Sequence, residues 1–153
     1  DGNEAQNLVS KIQDADGFWH RIGDVGYLDR QDRLWFCGRK AHRVFSRTGV
    51  LYTICCEALI NNHPDVFRSA LVGINSGQDY QTAVIVIELH KPLERKAEDI
   101  VTEIEKIAAA HPMLEPIEHV LIHESFPVDI RHNAKIFREK LSAWAQQQVQ
   151  KRL

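Results

Sequence analysis

The sequence has little that would place it in a specialised class. Its 153 residues include three cysteines, one methionine, five prolines and eight glycines. Three cysteines is an odd count, and Cys55 and Cys56 are adjacent, which excludes an ordinary disulfide framework. Reduced thiols in a cytoplasmic protein are expected. No apolar run approaches the roughly 18 residues that cross a bilayer, so no membrane span is expected. The opening Asp1-Gly2-Asn3-Glu4 has neither a basic start nor an apolar run, and no secretory leader is expected there. Neither sign of charge prevails: the formal net charge is −2 and the pI about 6.5. That balance lacks the electrostatic footprint of a nucleic-acid binder. Repeats and low-complexity tracts are absent too. What is present is ordinary, with 44% hydrophobic and 26% charged residues, near the average of folded domains. That composition excludes a disordered chain, a collagen or a coiled-coil rod, and a globule of 17.6 kDa buries roughly 70% of its unfolded surface.

The stretch Asp1 to Gln13 is polar and reads as cut from something larger. Closely spaced glycines follow in Gly23-Asp24-Val25-Gly26, the pattern of a turn or of backbone held near a ligand. Tyr27-Leu28 and Leu34-Trp35-Phe36 flank the polar Asp29–Arg33 and predict a hairpin, although its loop has no glycine. After Gly38-Arg39 comes a basic stretch of Arg39, Lys40, His42, Arg43 and Arg47, ended by the turn signal Thr48-Gly49. A short helix is predicted over Cys56–Asn61, with Glu57 near its start and His63-Pro64 as its stop. Val66–Ile74 and Thr82–Leu89 read as buried strands around an Asn75-Ser76-Gly77 turn. Ala97, Ile100, Val101, Ile104, Ile107 and Ala108 recur at helical spacing, so Glu94–Ala110 reads as an amphipathic helix. Ile117–Ile122 is a third strand. Phe137, Leu141, Trp144, Ala145 and Val149 mark a terminal helix. From residue 42 the order is helix, strand, strand, helix, strand, helix, an α+β fold with helices packed on a small sheet.

Four clusters could carry chemistry: Gly23-Asp24-Val25-Gly26, Gly38-Arg39, the segment from Gly49 to Glu57, and Asn133-Ala134-Lys135 with Arg138. Singly, each has a plain structural reading. An Asp between glycines usually bonds local backbone in a turn, a Gly-Arg after a strand is a turn with a solvated cation, and a Lys at a helix start is commonly just exposed. No metal site is expected from the eight histidines and three cysteines. His119 and His123 are four apart but bracket Val120-Leu121-Ile122 in a predicted strand, where that spacing gives no shared helical face.

In order and spacing, however, the set resembles the C-terminal end of the adenylate-forming ligases, the superfamily of acyl- and aryl-CoA synthetases and peptide-synthetase adenylation domains. Trp19-His20-Arg21-Ile22-Gly23-Asp24-Val25-Gly26 is similar to its (Y/W)-x-T-G-D-x-G segment, and Leu34-Trp35-Phe36-Cys37-Gly38-Arg39 to its strand ending in Gly-Arg. Glu57-Ala58-Leu59-Ile60 with His63-Pro64-Asp65-Val66 resembles its E-x-x-(L/I)-x-x-H-P-x-V helix, and Lys135-Ile136-Phe137-Arg138 its terminal G-K-(I/V)-x-R. The resemblance implies three parts: residues 1–38 as the edge of a large N-terminal adenylation domain, 39–41 as a hinge, and 42–153 as a mobile lid domain. It implies that Asp24 and Arg39 bind the ribose of ATP and that Lys135 contacts the reacting carboxylate and α-phosphate. The hinge falls at Ala41 with Lys40 beside it, and Gly49 and Glu57 belong to the loop near the acyl or pantetheine channel. The implied cofactor is ATP with Mg²⁺, held mainly by an upstream domain whose phosphate loop has no counterpart here. That domain is the implied partner, residues 1–37 should pack poorly without it, and the chain alone should fold from about residue 39 without catalysing.

The departures from the family pattern also form a pattern. Ala41 stands where Asp or Lys is usual, Asn133-Ala134 replaces Ser-Gly, Ile22 replaces Thr, and the loop carrying Phe45 and Tyr52 is longer. Cys37 to Val44, Tyr52-Thr53-Ile54 and Arg131 to Ile136 are most similar to the β-lactone synthetases of bacterial olefin biosynthesis. That resemblance implies a 3-hydroxy fatty acid as substrate, activated as its adenylate and closed to a β-lactone by its own hydroxyl without CoA. An ordinary long-chain fatty acyl-CoA synthetase is the first alternative, which leaves CoA use open. A non-catalytic binding module is the second, and intact Asp24, Arg39 and Lys135 argue for a working enzyme.

Overall fold

The computed structural model describes residues 10–131 and 135–152. Two antiparallel hairpins come first: β1 (Lys11–Asp14) with β2 (Gly17–His20), and β3 (Asp24–Leu28) with β4 (Leu34–Arg39). The second is the hairpin expected around Asp29–Arg33. In place of a glycine, Asp32 takes the left-handed turn position at φ 58°, a conformation that Asp tolerates better than most residues. The Asp29 carboxylate closes the loop by accepting from the Gln31 N–H at 2.9 Å, the Arg33 N–H at 3.0 Å and the Trp35 indole N–H at 2.8 Å. These bonds, the indole's foremost, lower the Asp29 pKa to about 2. Large side chains nevertheless face outward, with Trp19 66%, Leu28 64% and Leu34 75% exposed. Among the described residues none before Cys37 is buried.

The core begins where the basic stretch does. A single 3₁₀ turn, Lys40–His42, leads from β4 to a short hairpin of β5 (Val44–Ser46) and β6 (Gly49–Leu51). Helix α1 (Thr53–Ile60) follows and starts three residues before the expected Cys56. Its buried positions Thr53, Cys56, Glu57 and Ile60 keep helical spacing, but two of them are polar, so hydropathy alone hides the pattern.

The central sheet has the order β7 (Val66–Asn75), β8 (Gln81–Leu89), β9 (Ile117–Ile122). β7 and β8 are antiparallel neighbours, whereas β8 and β9 run parallel and therefore need a crossover. Helix α2 (Ala97–Ala110) supplies it, beginning three residues later than expected. The last elements are a two-residue ladder of β10 (Val128–Asp129) with β11 (Lys135–Ile136), and helix α3 (Arg138–Gln150).

Both faces of the sheet are covered, which is why its strands read as nearly continuous Val and Ile. Side chains alternate across the sheet. Leu71, Ile85 and Ile87 point to one face with Cys56 and Ile60 of α1 and Ile100 and Ile104 of α2. Ala70, Val72, Val84 and Val86 point to the other with Leu141, Ala145 and Val149 of α3. The architecture is the expected α+β arrangement, a small mixed sheet with three helices among the described residues. None of those helices is long and apolar enough to cross a membrane.

Candidate active site

The β3–β4 ladder places Asp24 opposite Arg39, and their side chains meet, Arg39 Nη1 lying 3.0 Å from Asp24 Oδ1. The same nitrogen donates to the Ile22 carbonyl at 2.6 Å, and the Lys40 N–H donates to the Gly23 carbonyl at 2.8 Å. Two segments far apart in sequence are thereby knitted at the point where β4 enters the 3₁₀ turn. Gly38 permits the entry. Its φ is 118°, and a β-carbon there would collide with the Thr53 hydroxyl at the start of α1.

Lys135 approaches from the other side. It is not at a helix start but on β11, opposite Asp129 in the register and exposed. Between these elements lies a cleft of about 610 Å³, with Arg39, Lys40, Ala41, His42 and Arg43 along one wall and Lys135 on another. Ile22 and Gly23 complete it. Four of the lining side chains are cationic and none is a carboxylate, an arrangement suited to a phosphate-bearing anion. Asp24 lies beside it as a two-oxygen acceptor for hydroxyls.

The electrostatics of the cleft act on His42. Burial first, then the charges of Arg138, Lys135 and Arg39, push its pKa below the usual imidazole value, with Glu139 opposing. His42 and Arg43 also border a second, smaller cleft of about 350 Å³ reaching Leu71, Arg138 and Ser142.

The structure thus brings together Asp24, Arg39, Lys40, Ala41 and Lys135. Gly49 and Glu57 do not line this cleft. Gly49 opens β6 and is exposed. Glu57 is 6% exposed. Its carboxylate takes a two-pronged ion pair from Arg138 at 2.5 and 2.9 Å and the Leu71 N–H at 2.8 Å. Sequence reasoning missed this use of Arg138. It also left His42 as a neighbour of the hinge, although its place in a run of basic residues signalled an unusual environment. His132, Asn133 and Ala134 lie outside the described residues. No group of three or more His, Cys, Asp or Glu that could hold a metal occurs among the described residues.

No family model matches the chain. Known proteins do. The olefin beta-lactone synthetase of Xanthomonas campestris pv. campestris is 52% identical over 131 residues, 84% of this chain and 23% of that protein. That of Stenotrophomonas maltophilia is 45% identical over 133 residues, 87% and 24% respectively. The close homologues of the chain are thus olefin beta-lactone synthetases. The chain spans about a quarter of the length of the curated relatives it matches. The fold agrees: the O-succinylbenzoate coenzyme A synthetase of Bacillus subtilis, solved with ATP and magnesium ion, superposes with a TM-score of 0.70 at 20% identity, over 92% of this chain and 27% of that one.

Proposed function

We propose that the chain is the lid part of an AMP-forming ligase that activates a 3-hydroxy fatty acid as its acyl-adenylate and closes it to a β-lactone without CoA. The observation that carries this reading is the cleft in which Lys135 faces Arg39 and its partner Asp24. The Asp24 carboxylate accepts both ribose hydroxyls of ATP, and Arg39, already fixed by Asp24, borders the same sugar. A carboxylate oxygen of the acid attacks the α-phosphorus and pyrophosphate leaves with the electrons of the broken P–O bond. Charge accumulates on carboxylate and phosphorus together, and the Lys135 ammonium offsets it. A contact of this kind contributes about 3–4 kcal/mol to the transition state.

Identity of 52% and 45% to two olefin beta-lactone synthetases supports the lactone branch over ordinary CoA ligation. So does the longer loop that carries the half-exposed Phe45 on β5, a departure from the pattern of the CoA ligases. ATP enters as substrate. The four cations of the cleft suit its α-phosphate and not a divalent ion, so no residue of this chain is assigned to Mg²⁺. We place the hinge at Lys40–Ala41, inside the 3₁₀ turn, since a hinge needs torsional freedom rather than a particular charge. The partner of the lid is an upstream domain of the same polypeptide, and the cytoplasm is the compartment that reduced thiols favour.

The test uses the full-length polypeptide with ATP and a long-chain 3-hydroxy acid. Acid-dependent pyrophosphate release is expected, falling by ~10²–10³-fold in Lys135→Ala. Undiminished release in that variant would remove Lys135 from the chemistry.

A further inference from the structure

Ring closure needs something that adenylate formation does not: a group to take the proton of the 3-hydroxyl. The cleft offers few. Arg39, Lys40, Arg43 and Lys135 carry side chains that donate hydrogen bonds and accept none. The Asp24 carboxylate is held by Arg39 at 3.0 Å. His42 lines both clefts, and neither of its ring nitrogens is hydrogen-bonded to another described residue.

We propose that His42 is the general base for lactone closure, an inference that rests on the function read above. The hydroxyl oxygen attacks the acyl carbon as its proton passes to an imidazole nitrogen. A C–O bond forms, the acyl–phosphate C–O bond breaks, and AMP leaves with that electron pair. The imidazolium then returns its proton to solvent.

Three features support the assignment. The first is the protonation state. Burial, Arg138, Lys135 and Arg39 together outweigh Glu139 and favour the neutral ring, the form that accepts a proton. The second is place. His42 is three residues from Arg39 on the 3₁₀ turn and shares the cleft with Lys135, so a base and the cation that made the adenylate serve one bound intermediate. The third is economy of motion. Lactone closure admits no second substrate, so the arrangement that forms the adenylate can also consume it.

The experiment follows both products in the full-length protein, lactone by mass and adenylate formation by pyrophosphate. In His42→Ala and His42→Gln, lactone formed per pyrophosphate released is expected to fall by on the order of 10²-fold or more. The acid limb of the closure rate against pH should disappear with it, and added imidazole should restore closure in His42→Ala, which a purely structural role would not allow. An unchanged ratio with an unchanged acid limb overturns the proposal and leaves the departing phosphate as the proton acceptor. A ratio that falls without imidazole rescue and with the acid limb intact overturns it in favour of a packing role. If the unmodified protein makes adenylate but no lactone, the function reading fails and the proposal falls with it.

Discussion

Arg138 grips Glu57, 81 positions earlier in the chain, with both terminal guanidinium nitrogens, at 2.5 and 2.9 Å. The Glu57 side chain is 8% exposed and that of Arg138 14%, and Arg138 also donates to the Leu71 carbonyl at 3.2 Å. One fork therefore joins α1, β7 and the first residue of α3, three positions from Lys135. Breaking a buried pair by removing one partner strands the other charge, at a cost of about 3–5 kcal/mol. Arg138→Ala should lower the urea-unfolding free energy by that amount. Arg138→Lys should recover only part of it, because an ammonium cannot bind both carboxylate oxygens in a fork. A loss below about 1 kcal/mol in Arg138→Ala would mean that the pair is solvated and structurally idle.

Gly38→Ala tests the joint between β4 and the 3₁₀ turn. The φ of 118° and the crowding against Thr53 leave no room for a methyl group. Backbone strain alone should cost about 1–3 kcal/mol, read as a lower unfolding midpoint. A midpoint equal to that of the parent protein would show that β4 does not enter the turn as described.

Acid should weaken the link between α2 and the turn that follows α1. Glu103 accepts from Arg95, and His63 Nε2 lies 2.9 Å from its other oxygen. The Arg95 bond, then that of His63, lowers the Glu103 pKa below the usual carboxylate value. A lowered carboxylate stabilises the fold above its unfolded pKa, and that contribution is lost as pH falls through the native one. Between about pH 6 and about pH 3.5 the parent protein should therefore lose more stability than Glu103→Gln. Equal losses would contradict the pairing.

The thiols should be slow to alkylate in the native chain. Burial, with the Cys37 thiol beside it, raises the Cys55 pKa to about 11, and burial raises that of Cys56 to about 12. Only the thiolate reacts. Labelling near neutral pH should run at least about a hundredfold slower than in urea. Rapid labelling of Cys55 in the folded protein would contradict its described surroundings.

How much of this was legible depended on length and on distance along the chain. β9 matches its expected span, Ile117–Ile122, because strands buried on both faces read as apolar runs wherever they fall. The hairpins β1–β2, β5–β6 and β10–β11 escaped notice, since strands of two to four residues are too short for a period of two to emerge. Asp24, Arg39 and Lys135 stand out in sequence through their neighbours, each inside a recognisable local pattern, and the structure sets Arg39 and Lys135 on one cleft with Asp24 paired to Arg39. The Glu57 fork and the surroundings of His42 were not legible in that way. Both depend on Arg138, which reaches them only after α3 has docked on the sheet.

The proposed function requires a ligase whose activated product closes on itself. The direct measurement is the mass of the product formed by the full-length protein from ATP and a long-chain 3-hydroxy acid, with and without CoA. A β-lactone, lighter than the acid by one water and formed equally well without CoA, is the expected result. A thioester formed only when CoA is supplied would contradict it and return the chain to the ordinary acyl-CoA ligases.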